Sequence, residues 1–271
     1  MTTKPSPVGE TDPASLPLFY REPQPLNSNV HAAWRLMDGD LGFAAEAPYV
    51  PIVIGELAAA SRDYPIVFAA GDGQPIAVLG LERRNLFVQD GRWDRDSYVP
   101  AYVRRYPFGF IATVNPDGFA LAIDAASDRV AQSGDEGAPL FEDGKPSELT
   151  RQALSFCDAF GRELDATKLF AAALREKDLL IDRRADATLP DGRKLGLEGF
   201  QIIDAEKFAE LDDETVLAWR RQGLLALIYF HLASLERFSG LLNRQGRLAA
   251  DANTAETAET PAKAKSKKAA A

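Results

Sequence analysis

The chain has 271 residues, 46% of them hydrophobic, enough to bury a sizeable core as one large domain or as two sharing an interface. Its 31 Lys and Arg stand against 40 Asp and Glu, and the resulting net charge of −9 repels a polyphosphate, so nucleic acid is excluded as the expected partner. A single cysteine, Cys157, excludes an intramolecular disulfide and a thiolate metal site.

Residues 1 to 28 are rich in Pro, Ser and Thr with few large apolar groups, a composition that cannot offset its own ordering entropy; a flexible lead-in is expected. They hold no continuous apolar run of the kind a secretory signal needs, so the sequence points to the cytoplasm. Residues 29 to 138 then read as β-rich. Short runs of β-branched and aromatic residues, YVPIVIG, YPIVFAA, PIAVLGL, FGFIATV and FALAID, are separated by the turn signals GDGQ, QDGR and NPDG. That spacing predicts antiparallel hairpins, with ELAAASRDY forming one or two helical turns between the first two strands.

Residues 139 to 247 read as mainly helical. Ser147 is placed to cap a helix from Glu148 to about Arg162, with Leu149, Ala153, Phe156, Cys157 and Phe160 on one face. Asp165 is placed to open a second, with Leu169, Phe170, Ala173, Leu174 and Leu179 on its face. A hairpin turning at Pro190, Asp191 and Gly192 follows, and Asp204 caps a short helix. One long helix from about Asp213 to Asn243 ends the domain, its stripe including Val216, Leu217, Gly223, Leu224, Ile228, His231 and Leu235. Its most apolar part, Gly223 to Leu235, contains His231 and is flanked by Arg220, Arg221 and Glu236, so it reads as a buried helix, and no membrane span is expected. Residues 248 to 271 form a low-complexity tail, acidic first and lysine-rich last, expected to be disordered. The fold class is therefore α+β: an antiparallel, sheet-rich N-terminal half packed with a helical C-terminal half that ends in one long helix.

The segment Gly91 to Phe108, GRWDRDSYVPAYVRRYPF, holds five aromatic rings, two prolines and four arginines in eighteen positions. Pro100 and Pro107 turn Val99 and Tyr106 away from helical dihedrals, leaving room for a short helical turn at most. Guanidiniums stack on rings and grip carboxylates or phosphates with two parallel hydrogen bonds, so this corner is the candidate binding surface. Arg104 and Arg105 are the expected grip for an anionic group or a peptide carboxylate, with Tyr98 and Tyr102 as walls and Trp93 beside them. The competing reading packs the rings under a sheet and pairs the arginines with the chain's many carboxylates.

Only two histidines exist, His31 and His231, so a site of two His and one carboxylate needs both together with Glu56, Asp63 or Asp124. Ser234 lies one helical turn from His231, but no strained Gly-x-Ser-x-Gly elbow surrounds it. GDGQP at 71 to 75 precedes no helix and reads as a turn, not a phosphate loop. No metal and no cofactor is expected, and no catalytic residue is assigned. Two readings follow. In the first the protein is a noncatalytic binding or assembly factor with a protein or peptide partner. In the second it is an enzyme or enzyme accessory acting on a peptide or small anionic substrate, with His31 or Glu56 moving protons near the arginines. A homo-oligomer is compatible with either.

Five stretches taken together, YPIVF, PIAVLGLERRNLFV, GRW followed by YVPAYVRRYPF, APLFEDGKPSE and GLLALIYFHLASLERFSGLL, resemble the bacterial SapC family from about residue 27 to 243. That family takes its name from a protein associated with a paracrystalline surface layer. It is distinct from the peptide-transporter permease of the same name, which has several spanning helices. The resemblance implies a SapC-like domain over residues 29 to 247 and a link to the bacterial cell surface or to outer-membrane uptake systems. It carries over no reaction, cofactor or catalytic residue.

Overall fold

A computed structural model describes residues 16–114, 117–188 and 192–248. The described chain is α+β, with antiparallel sheets concentrated in its first half and helices in its second. It divides into two compact units that interleave along the sequence. The first takes residues up to Phe43 and Tyr102–Gly161, and the second takes Ala44–Ala101 and the residues from Arg162 on.

In the first unit, the strands Phe108–Val114 and Asp117–Asp124 pair antiparallel with Phe108 opposite Ile123 and Phe110 opposite Leu121. Side chains alternate across a pleated strand, so this register puts Phe108, Phe110, Leu121 and Ile123 on one face. That face packs with Trp34, Leu140 and Cys157 into the unit's core. The expected turn at NPDG falls partly on residues 115–116, outside the described residues. A third strand, Pro23–Pro25, pairs with Ala122–Asp124. The lead-in expected over residues 1 to 28 is therefore structured in its later part: Tyr20 is buried and donates its hydroxyl to the Phe108 carbonyl. Local composition missed this because the ordering comes from a distant carboxylate. Asp124, fully buried, accepts from the backbone amides of Arg21 and Glu22 at 3.2 and 2.7 Å and from the Tyr106 hydroxyl at 2.8 Å.

The second unit is built on a five-stranded antiparallel sheet in the order Leu180–Thr188, Lys194–Ile203, Ile66–Ala69, Pro75–Val78, Tyr49–Pro51. The hairpin expected at GDGQ joins Ile66–Ala69 to Pro75–Val78, with Gly71 and Gly73 at positive φ. The expected helical turns over ELAAASRDY form as well, as Ile54–Glu56 and Leu57–Ala60. A second hairpin joins Leu180–Thr188 to Lys194–Ile203; of its expected turn, residues 190 and 191 lie outside the described residues.

Two helical expectations are corrected. The helices predicted to break near residue 163 are one continuous helix, Glu148–Glu176, whose residues to Gly161 belong to the first unit and whose later residues belong to the second. Ser147 accepts from the Thr150 amide at its start, as expected of a cap. Buried residues recur along it at Cys157, Phe160, Thr167, Phe170, Ala171 and Leu174, a helical spacing that passes through Gly161 without a stop. Asp165 does not cap a second helix. It pairs with Lys168 on the exposed side, and Leu169, expected on the apolar face, is 74% exposed.

The long terminal helix begins only at Leu224, because Gly223 adopts a left-handed φ of 78° and caps the preceding helix Asp213–Gln222. It is interrupted by a turn at Leu235–Glu236 and resumes over residues 237–248. The 25-residue stretch Leu224–Leu248, expected from sequence as a buried helix, is long and apolar enough to cross a membrane by length and composition only, with an 18-residue window of mean hydropathy 1.2. One face of it is tied into the sheet. His231 accepts from the Ile203 amide at 3.1 Å, and Ser234 accepts from the Ile66 amide at 3.0 Å.

Candidate functional site

The arginine and aromatic corner begins with the turn Asp90–Gly91, both at positive φ, which returns Val88–Gln89 onto Arg92–Trp93. Pro100 and Pro107 bracket a single helical turn, Ala101–Arg104, as their dihedral restrictions require. The corner is divided between the two units. Trp93 and Tyr98 belong to the second, and Tyr102, Arg104 and Arg105 to the first.

Within the second unit, Trp93 is buried and donates its indole N–H to the Tyr64 hydroxyl at 3.0 Å. Tyr98 donates to Glu56 at 2.9 Å. Glu56 is itself buried, and its carboxylate also accepts from the Ala101 amide at 2.6 Å and the Val53 amide at 3.1 Å. Three donors on one carboxylate tie the corner to the turn at Ile54–Glu56, a structural task that leaves no oxygen aimed at a substrate. A cavity of about 600 Å³ beside Trp93 is lined by Arg92, Arg95 and Arg244, but Asp90 and Asp94 line it too, and Arg244 pairs with Asp94 at 2.6 Å. Its positive charge is answered from within.

In the first unit, Tyr102 is buried and donates to the Leu18 carbonyl at 3.0 Å. The Arg105 guanidinium lies 4.2 Å from the Tyr102 ring centre and 4.5 Å from that of Phe160, held by cation–π attraction on both. Arg104 stacks at 5.3 Å on Phe156. Arg105 and Arg104 both line a cavity of about 240 Å³, together with Arg129, which is not among the residues expected from sequence. Arg129 reaches the Tyr106 carbonyl at 3.4 Å. Nothing in its local sequence, SDRVAQ, marks it; the fold brings it to the site from 24 positions beyond Arg105.

This cavity contrasts with the other. Three guanidiniums line it and no carboxylate does, in a chain where acidic residues outnumber basic ones. Among the described residues, neither Arg105 nor Arg129 makes an ion pair, and the Nε of each is buried with no acceptor. A cation drawn partly out of water without a counter-ion carries a desolvation cost that an incoming anion offsets. The rest of the wall is apolar, from Leu36, Phe108, Leu149, Ala153 and Phe156, with Gln152 and Cys157 between. Burial pushes the Cys157 thiol up to about 11, against the pull of Arg105, so it remains protonated and is no nucleophile near neutral pH. Burial likewise raises Tyr102, again opposed by Arg105.

The remaining candidates do not converge on this cavity. His31, in the same unit, is buried against Trp34 with ring centres 4.2 Å apart, and its Nδ1 accepts from the Asn27 amide at 3.0 Å. Burial lowers its pKa, which keeps it neutral. His231 belongs to the second unit, where burial lowers its pKa to about 4. Ser234 does not attack through it; its hydroxyl donates to the His231 carbonyl at 2.6 Å. No group of three or more His, Cys, Asp or Glu able to hold a metal occurs among the described residues.

The chain matches no curated protein and no solved structure. It does match the family model described as SapC over residues 26–241, a span that takes in most of each unit, the whole Gly91–Phe108 corner and all three arginines of the carboxylate-free cavity; the chain belongs to the SapC family.

Proposed function

We propose that this SapC-family chain is a noncatalytic binding or assembly factor serving the bacterial cell surface or outer-membrane uptake, and that its first unit holds an anionic group of a protein or peptide partner. The carrying observation is the cavity lined by Arg104, Arg105 and Arg129 and by no carboxylate, with Arg105 and Arg129 outside any ion pair among the described residues. Such forks give orientation as well as energy to a bound carboxylate or phosphate. Binding is favoured over catalysis by how the proton-transfer candidates are used. Glu56 accepts three structural hydrogen bonds, and His31 is buried with its Nδ1 occupied.

The test is a thermal-shift panel of acetate, phosphate, sulfate and N-acetylated amino acids on wild type and on Arg105→Gln/Arg129→Gln. At equal concentration, anions should raise the wild-type melting temperature in the order of their affinity and leave the double variant unmoved. An equal rise in both proteins, or none in wild type, would overturn the reading.

A further inference from the structure

Resting on that reading, we infer that the anion this cavity takes is a chain-terminal carboxylate carried on an apolar residue, so that the first unit recognises the C-terminus of its partner. The size of the cavity is the first argument. At about 240 Å³ it is smaller than the roughly 300–1,000 Å³ of pockets that enclose a whole small-molecule ligand, so it takes about one residue of something larger.

The second argument is the ratio of donors to apolar wall. A phosphate monoester presents three outer oxygens and close to two charges, and is ordinarily met by guanidiniums together with backbone amides, hydroxyls or lysines. This wall has no Lys, Ser or Thr; beyond the guanidiniums its polar side chains are Gln152, Cys157 and Tyr106. The Tyr106 hydroxyl already donates to Asp124. A carboxylate needs only one or two guanidinium forks, which Arg105 and Arg129 supply. Phe156, Leu149 and Ala153 then face whatever is bonded next to it. An internal Asp or Glu would bring its charge on a short stem between two polar peptide groups, which that wall would leave unpaired. A terminal Leu or Phe brings carboxylate and apolar side chain on one carbon. Gln152 lines the same wall; its amide NH2 donates to Glu148 at 3.0 Å, which leaves its carbonyl oxygen to accept from the N–H of the terminal residue.

The experiment titrates the full chain by calorimetry with acetyl-Gly-Gly-Leu as free acid, its C-terminal amide, acetyl-Gly-Gly-Gly acid, acetyl-Gly-Asp-Gly amide and inorganic phosphate. The leucine acid should bind most tightly, its amide about tenfold or more weaker through loss of the charge-assisted bonds. The glycine acid should be about fivefold or more weaker through loss of the apolar contact. Arg105→Lys keeps the stacked cation but not the fork, and Arg129→Gln lies outside the ring cluster. Each should weaken the leucine acid about tenfold while thermal melts show both folded. If phosphate or the internal aspartate binds as tightly as the leucine acid, or the amide matches the acid, the C-terminal assignment is overturned while the anion site stands. If wild type and Arg129→Gln bind every probe alike, or nothing binds, both fall.

Discussion

Glu56 shows how a single side chain changes meaning between sequence and structure. A carboxylate beside an arginine-rich corner suggests proton transfer, but buried under three donors it is a structural clamp. Replacing it by Ala strands the Ala101 and Val53 amides and the Tyr98 hydroxyl, and should cost about 2–4 kcal/mol of stability in urea unfolding. Anion binding by the folded variant should be unchanged; a selective loss of binding without destabilisation would return Glu56 to the site. His231 offers a test through pH. Its native pKa of about 4 lies below its ordinary 6.5, so between those values the unfolded chain takes up a proton that the native chain does not. Stability from this group is complete above pH 6.5 and is lost as pH falls toward 4. Between pH 7.5 and 5.0 the loss is roughly 2 kcal/mol. His231→Gln, which keeps an acceptor for the Ile203 amide, should remove that part of the pH slope, and an unaltered slope would refute the assignment.

At the scale of elements, two glycines on helical segments make opposite demands. Gly161 sits inside the continuous helix with nothing within 4 Å of where a Cβ would stand, so Gly161→Ala should stabilise by about 0.5–1 kcal/mol. Gly223 also has open space around a Cβ, but its φ of 78° ends one helix and starts another. Gly223→Ala should therefore destabilise by about 1 kcal/mol or more through backbone strain alone. Thermal unfolding of the two variants side by side checks both signs. Periodicity did not distinguish these positions, since each glycine falls in a run of helical spacing and only the backbone conformation separates them. The hairpin at GDGQ and the caps at Ser147 and Asp204 were legible because their physics is confined to a few neighbouring residues.

For the molecule as a whole, the interleaving of two units along one chain governs how it can be cut. Residues 102–161 contain the long strands Phe108–Val114 and Asp117–Asp124 and half a helix of the first unit but lack Tyr20, the Pro23–Pro25 strand and Trp34, all of which that unit's core and sheet use. A fragment of residues 102–161 should show no cooperative thermal transition by circular dichroism. Fusing residues 16–43 to it through a flexible linker should restore one. Cooperative melting of the shorter fragment would mean that the N-terminal strand is dispensable.

The α+β class, the family, the short turn between Pro100 and Pro107, and the candidacy of Arg104 and Arg105 could all be read along the chain, because each rests on local dihedral preference, periodicity or residue type. Folding in three dimensions was needed to bring Arg129 beside them, to give Glu56 and the two histidines structural partners, to order residues 16–28, and to leave one arginine cavity with carboxylates and the other with none. Those outcomes depend on which distant residues share a wall. The charge left over at a site is a sum over neighbours in space, and no spacing along the chain encodes that sum.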